Sequence, residues 1–154
     1  MAKNFDTFAQ SIGFSFRNKK LLERAFTHRS YINEHREAGL LHNERLEFLG
    51  DAVLELVVTD HLYRKYEKET EGDLTSYRAA LVNTTTLSAV AMSLGMNDYL
   101  LLSKGAEKDT GRARHYLLAN TFEAFVGALY LDGGYDTANA FIEKTLLPLT
   151  QEIL

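Results

Sequence analysis

The stretch His42–Val57, HNERLEFLGDAVLELV, decides how this chain is read. Leu46, Phe48, Leu49, Val53 and Leu54 recur at helical spacing, which predicts a helix that buries all five. The same stretch carries Glu44, Glu47, Asp51 and Glu55, and a carboxylate buried without a partner is strongly disfavoured. Glu47 and Asp51 share one helix face, about 6 Å apart along the axis, where like charges repel. Three arrangements would accommodate them. The acidic face can point to water, pair with cations such as Arg45 or Arg78, or hold a divalent cation through oxygen ligands.

The rest of the chain narrows the context. Its 154 residues, 45% of them hydrophobic, suit one compact domain with its own core. The absence of cysteine excludes disulfides, thiol catalysis and cysteine-ligated metal centres, and fits a reducing compartment. The opening MAKNFDTF is polar, and the longest apolar run, Ala124–Leu131, is far shorter than the roughly 18 residues a membrane span needs. The expectation is a soluble cytoplasmic domain with no membrane partner. A net charge of −4 means that any polyanion must be bound locally or with the help of metal ions.

No internal repeat or low-complexity segment interrupts the chain, and its single proline, Pro148, lies near the end. Helical periodicity recurs at Leu21, Leu22, Ala25 and Phe26, at Leu87, Val90, Ala91 and Leu94, and at Ala138, Phe141 and Ile142. Asn18, Asp73 and Asp136 read as helix starts, Gly95 and Gly133-Gly134 as stops. No segment alternates at period two. The fold class expected is all-α, a single compact domain of about seven or eight helices. Its two central helices would run from Asn43 to about Tyr66 and from about Arg112 to Leu131.

The second central helix repeats the puzzle of the first. In YLLANTFEAFVGALYL only Asn120, Thr121 and Glu123 are polar, with Asn120 and Glu123 on one face and Phe122, Phe125, Val126 and Leu129 available for packing. Glu47, Asp51, Asn120 and Glu123 offer hard oxygens only, a set suited to magnesium or manganese over zinc. Glu-x-x-His, His-Glu-x-x-His, Walker A and Gly-x-Ser-x-Gly are all absent, which removes di-iron bundles, zincins, P-loop enzymes and serine hydrolases. Spacing does not choose between salt bridges and a cation.

A resemblance does. NERLEFLGDAVLE, Asn43–Glu55, is similar to the signature of the ribonuclease III family. THRSYINE (Thr27–Glu34), EGDLTSYRAALVN (Glu71–Asn83) and LLANTFEAFVGALYLDGG (Leu117–Gly134) resemble the family's other blocks, in the same order. The resemblance covers residues 1–154 as one endonuclease domain of bacterial type, with no double-stranded RNA-binding domain after LTQEIL. It implies a two-fold homodimer that hydrolyses double-stranded RNA with magnesium-activated water, manganese serving as a substitute. The products would carry 5′-phosphate and 3′-hydroxyl ends, in processing of ribosomal and messenger RNA precursors.

Carried over by position, the resemblance makes Glu47, Asp51 and Glu123 catalytic residues and metal ligands. Asn120 stands where the family has aspartate; its amide oxygen can still coordinate, with one negative charge fewer. That departure motivates an alternative, a catalytically weakened or silent homologue that binds or scaffolds double-stranded RNA. Glu44 and Glu71 would line the same acidic valley, and Gly50 would allow close approach beside the metal. Phe48, otherwise an ordinary core residue, becomes a dimer contact. RNA-binding candidates are Arg29, Ser30, Arg78, Lys104, Lys108 and Arg112, the last three in SKGAEKDTGRARH, which reads as a mobile loop. His28, His42 and His115 are expected to pack or cap.

Overall fold

The computed structural model describes residues 3–36 and 39–154. Within them the architecture is all-α, and the only β-type pairing among the described residues is one isolated parallel bridge between Thr27 and Leu101. Ten α-helical segments appear where the periodicity suggested seven or eight. In chain order they are α1 (Phe5–Ser11), α2 (Lys19–Ala25), α3 (Arg29–Glu34), α4 (Glu44–Lys65), α5 (Glu71–Val82), α6 (Thr84–Ser93), α7 (Lys104–Lys108), α8 (Arg112–Gly133), α9 (Tyr135–Thr145) and α10 (Thr150–Ile153). The additional ones are short, and apolar periodicity does not register over one or two turns.

Local chemistry sets most boundaries. Asn4, Asn18 and Asn83 each accept a hydrogen bond from a backbone N–H in the first turn of the helix that follows. The start assigned to Asp73 is corrected: Thr70 caps α5, and Asp73 is its reciprocal partner in a capping box. Asp136 likewise falls in the first turn of α9 rather than before it. Gly95 and Gly134 end their segments with φ of +84° and +87°, values that only glycine adopts without strain.

The centre of the domain is the crossing of α4 and α8, the most extensive pairing of elements in the fold. Helix α8 is surrounded by α2, α4, α6 and α9, which is why residues Phe122 and Ala124–Leu129 are all buried. Phe125 stands at the middle of an aromatic cluster, with ring centroids 5.0 Å from Phe141, 5.6 Å from Phe8 and 6.0 Å from Phe26. Helix α4 contributes Leu46, Val53, Leu54, Val57, Val58 and Leu62 to the core. Phe48 is the exception. Placed in the core by periodicity and at a dimer contact by the resemblance, it is 83% exposed, and it heads a second stripe on α4 with Leu56 and Tyr63, both also exposed.

The crossing depends on two glycines. A Cβ added to Gly50 would overlap the main-chain carbonyl of Glu123, and one on Gly127 would meet the Leu46 carbonyl, so the two backbones touch directly. The N-terminus of α4 is then fixed by buried Asn43, whose N–H donates to the Thr27 carbonyl at 2.9 Å and whose side-chain amide donates to the Ala25 carbonyl at 2.9 Å.

Candidate active site

Where α4 and α8 meet, a cleft of about 630 Å³ opens between them and the start of α3. Its walls carry Glu44, Glu47, Phe48 and Asp51 from α4, Leu117, Asn120, Thr121 and Glu123 from α8, and His28 and Asn43 from the ends that precede α3 and α4. The four oxygen donors singled out in the sequence therefore share one cavity. The glycine contact explains why. Gly50 lies between Glu47 and Asp51 and rests against the backbone of Glu123, so the Cα positions that carry the three carboxylates are held close together.

Their electrostatics are unusual. Glu123 is pushed up to about 9, first by burial, then by a hydrogen bond and charge repulsion from Asp51, with Glu47 and Glu55 adding to it. Glu47 is also raised, by burial and then by the neighbouring Glu44 and Asp51 carboxylates. No lysine or arginine lines the cleft, and among the described residues no ion pair reaches Glu47, Asp51 or Glu123. The salt-bridge arrangement thus fails for these three. Arg78 instead pairs with Glu55 at 3.4 Å and donates to Thr59 at 2.9 Å, while Arg29 pairs with Glu44 at 3.0 Å.

The donor chemistry fits a hard divalent cation: oxygen ligands only, excess negative charge and no protein cation to offset it. As the side chains stand, burial and the neighbouring Asp51 keep the proton on Glu123, and among the described residues no three His, Cys, Asp or Glu side chains converge on a single point. Such a site must exchange that proton for a cation.

Other expectations separate. Glu71 does not reach this cleft; it lines a groove of about 470 Å³ between α4 and α5, with Thr59, Leu62, Tyr63, Glu69, Leu74, Thr75 and Arg78. Lys104, Lys108 and Arg112 are exposed and lie outside the cleft lining. The segment Ser103–His115 is not the mobile loop expected. Ser103 caps α7 through the Ala106 N–H, and Arg114 is tied to Asn97 at 2.8 Å and to the Glu107 carbonyl at 3.0 Å. Ser30 is spent internally, on His28 and on the Ser103 N–H. His28 caps α3 as expected, yet it also lines the cleft, a position that sequence spacing did not suggest because it lies outside both central helices. Thr121 on α8 and Asn43 at the head of α4 also line the cleft, and neither was singled out as a site residue.

Comparison with known proteins places this geometry. The family model described as Ribonuclease-III-like matches residues 18–149. The Ribonuclease 3 of Halalkalibacterium halodurans is 50% identical over 148 residues, which is 96% of this chain and 56% of that protein. That of Geobacillus kaustophilus is 51% identical over 148 residues, covering 96% and 60%. The chain therefore spans little more than half the length of these relatives. A solved nuclease domain of ribonuclease III from Campylobacter jejuni, described as flexible in a region involved in dimer formation, superposes with a TM-score of 0.84 at 38% identity. It covers 98% of this chain and 99% of that one.

Proposed function

The chain belongs to the ribonuclease-III-like family, and from that membership we propose that it is a metal-dependent endonuclease of double-stranded RNA acting in the cytoplasm on precursor transcripts. One observation carries the reading: Glu47 and Asp51 of α4 and Glu123 of α8 share a single cleft, and among the described residues no lysine or arginine pairs with them. A magnesium ion bound there, or manganese in its place, would acidify water and offset the charge that builds on the phosphate and on the leaving 3′ oxygen.

The chain's own residues do the rest. Glu47, Asp51 and Glu123 would hold the cation, with the Asn120 amide oxygen as a neutral fourth donor. Glu123, held protonated by burial and by Asp51, would have to be deprotonated to serve as a ligand. Leu117 and Phe48 supply apolar walls. The duplex is read by shape, since the deep major groove of A-form RNA excludes side chains. Arg29 on α3, Lys104 and Lys108 on α7, and Arg112 at the head of α8 are exposed cations suited to phosphate contact. Helices α3 and α7 are bound to one another by the Ser103 N–H to Ser30 hydrogen bond of 2.9 Å and the Lys104 N–H to Glu34 bond of 3.3 Å, so their cations form one edge. Arg78, held by Glu55, is the weaker candidate.

Cutting both strands needs two clefts at fixed separation, hence a two-fold pair. The stripe Phe48, Leu56 and Tyr63 supports this, because an exposed apolar face along a central helix calls for a cover. Two α4 helices packed antiparallel with Leu56 near the axis would bring Phe48 of each copy towards the other copy's groove, which is lined by Thr59, Leu62, Tyr63 and Glu71. In that arrangement Glu71 would approach the facing cleft, the acidic-valley role that it does not fill within one copy. The test is incubation of a labelled RNA duplex with magnesium and with chelator. Cation-dependent scission by the chain, absent in Glu123→Gln, supports the reading; an intact duplex at low salt and high enzyme overturns it in favour of the scaffold alternative.

A further inference from the structure

An acidic cleft that accepts a polyanion needs hydrogen-bond donors of its own, and most of those lining this one are already committed. The Asn43 amide donates to the Ala25 carbonyl at 2.9 Å, and the Thr121 hydroxyl to the Leu117 carbonyl at 2.7 Å. No lysine or arginine is present in the lining. Besides Asn120, which belongs to the cation set, one side chain remains: His28.

The protonation of its ring follows from a backbone donor whose direction is fixed. The Ser30 backbone N–H donates to His28 Nδ1 at 3.1 Å, so that nitrogen carries no proton. Ser30 Oγ, which accepts from the Ser103 N–H at 2.9 Å, lies 2.8 Å from the same nitrogen and therefore donates its own proton to it. Nδ1 is therefore an acceptor, and the neutral ring carries its proton on Nε2. Burial lowers the pKa of His28 below its ordinary value, which favours that neutral form. Nε2 makes no hydrogen bond to any described residue, although the ring lines the cleft.

We propose that His28, locked as its Nε2–H tautomer by the Ser103–Ser30 relay, is a substrate-binding residue that donates to a phosphate oxygen of the RNA backbone in the cleft. The proposal rests on the endonuclease reading above. A neutral donor suits the place, since it contacts the phosphate without pairing with the carboxylates that must keep their charge for the cation. The relay also begins at the cap of α7, so the edge bearing Lys104 and Lys108 and this donor are set by the same bonds.

Two substitutions separate this role from capping alone. His28→Asn keeps an acceptor where Nδ1 stands and so keeps the cap, but removes the Nε2 donor. His28→Gln places an amide N–H near Nε2. For a short RNA duplex with magnesium, His28→Asn should raise KM about tenfold with kcat within about twofold, the tenfold being ~1.4 kcal/mol. The same loss should appear in duplex binding, read by fluorescence anisotropy in a Glu123→Gln background, and His28→Gln should recover most of it. Imidazole ¹⁵N NMR of the unsubstituted chain at neutral pH should show Nε2 protonated and Nδ1 bare. An Nδ1–H ring, or His28→Asn binding and cutting like the parent while His28→Gln does not, overturns the proposal and leaves the endonuclease reading intact. If the parent chain neither binds nor cuts the duplex, that underlying reading fails and takes this one with it.

Discussion

Gly50 of α4 rests directly on the main-chain carbonyl of Glu123 in α8, with no room for a Cβ between them. This contact sets the distance between the two helices at the level of the carboxylates, and it makes the site a property of backbone packing before any side chain is considered. Gly50→Ala must therefore force α4 and α8 apart. The expected cost is about 3 kcal/mol, at the upper end of overpacking, which for a chain this size lowers Tm by about 10 °C. Thermal unfolding in chelator checks it. A Tm within a degree or two of the parent would mean that the crossing yields easily and that Gly50 does not position Glu123.

The raised pKa of Glu123 predicts how stability varies with pH. Glu123 titrates near 9 in the folded chain against an ordinary 4.5, so the folded state holds a proton that the unfolded state releases. With the cation sequestered, the contribution is full below about 4.5 and is lost as pH climbs towards about 9. Burial and the Asp51 carboxylate are the causes, so a neutral amide in place of Glu123 should remove the dependence. In chelator at pH 8, Glu123→Gln should melt higher than the parent, and added magnesium should raise the parent's Tm while leaving the variant's unchanged. Equal melting curves across that pH range would contradict the raised pKa.

Phe48 is 83% exposed in a single copy, so its removal should cost the fold little. Phe48→Ala is expected to keep its Tm at low concentration and to dissociate at micromolar protein where the parent stays dimeric. Sedimentation velocity decides: an unchanged dimer refutes the contact proposed for Phe48.

Asn120 occupies the cleft with one charge fewer than an aspartate would supply. Asn120→Asp should lower the magnesium concentration needed for half-maximal cleavage by about tenfold, since ligand charge tunes the affinity of oxygen sites. It should also lower Tm in chelator at pH 8 by adding a like charge beside Glu123. A magnesium requirement identical in both proteins would remove Asn120 from the ligand set.

Much of this was legible in the sequence. The two long helices, the glycine at position 50 and the gathering of Glu47, Asp51, Asn120 and Glu123 in one cleft follow from periodicity, spacing and family resemblance. For Phe48 periodicity alone pointed to the core, because it cannot tell a buried stripe from an exposed one, and only the family resemblance made it a surface contact. Helix α4 carries two, Leu46–Val53–Val57 inside and Phe48–Leu56–Tyr63 outside. Helix α7 was missed because KGAEK has no apolar stripe; it is held by the Ser103 cap and by Arg114 reaching back across it, contacts that only the fold creates. The capping box at Thr70 was present in the sequence but obscured by Asp73, its reciprocal partner, which read as the start itself.

Glu47, Asp51 and Glu123 are proposed to hold one hard cation together. Manganese titration followed by electron paramagnetic resonance tests it without reference to RNA or to turnover. One strong site per chain is predicted for the parent, with Glu47→Gln, Asp51→Asn and Glu123→Gln each losing it while remaining folded. Three variants that bind manganese as the parent does would contradict the claim.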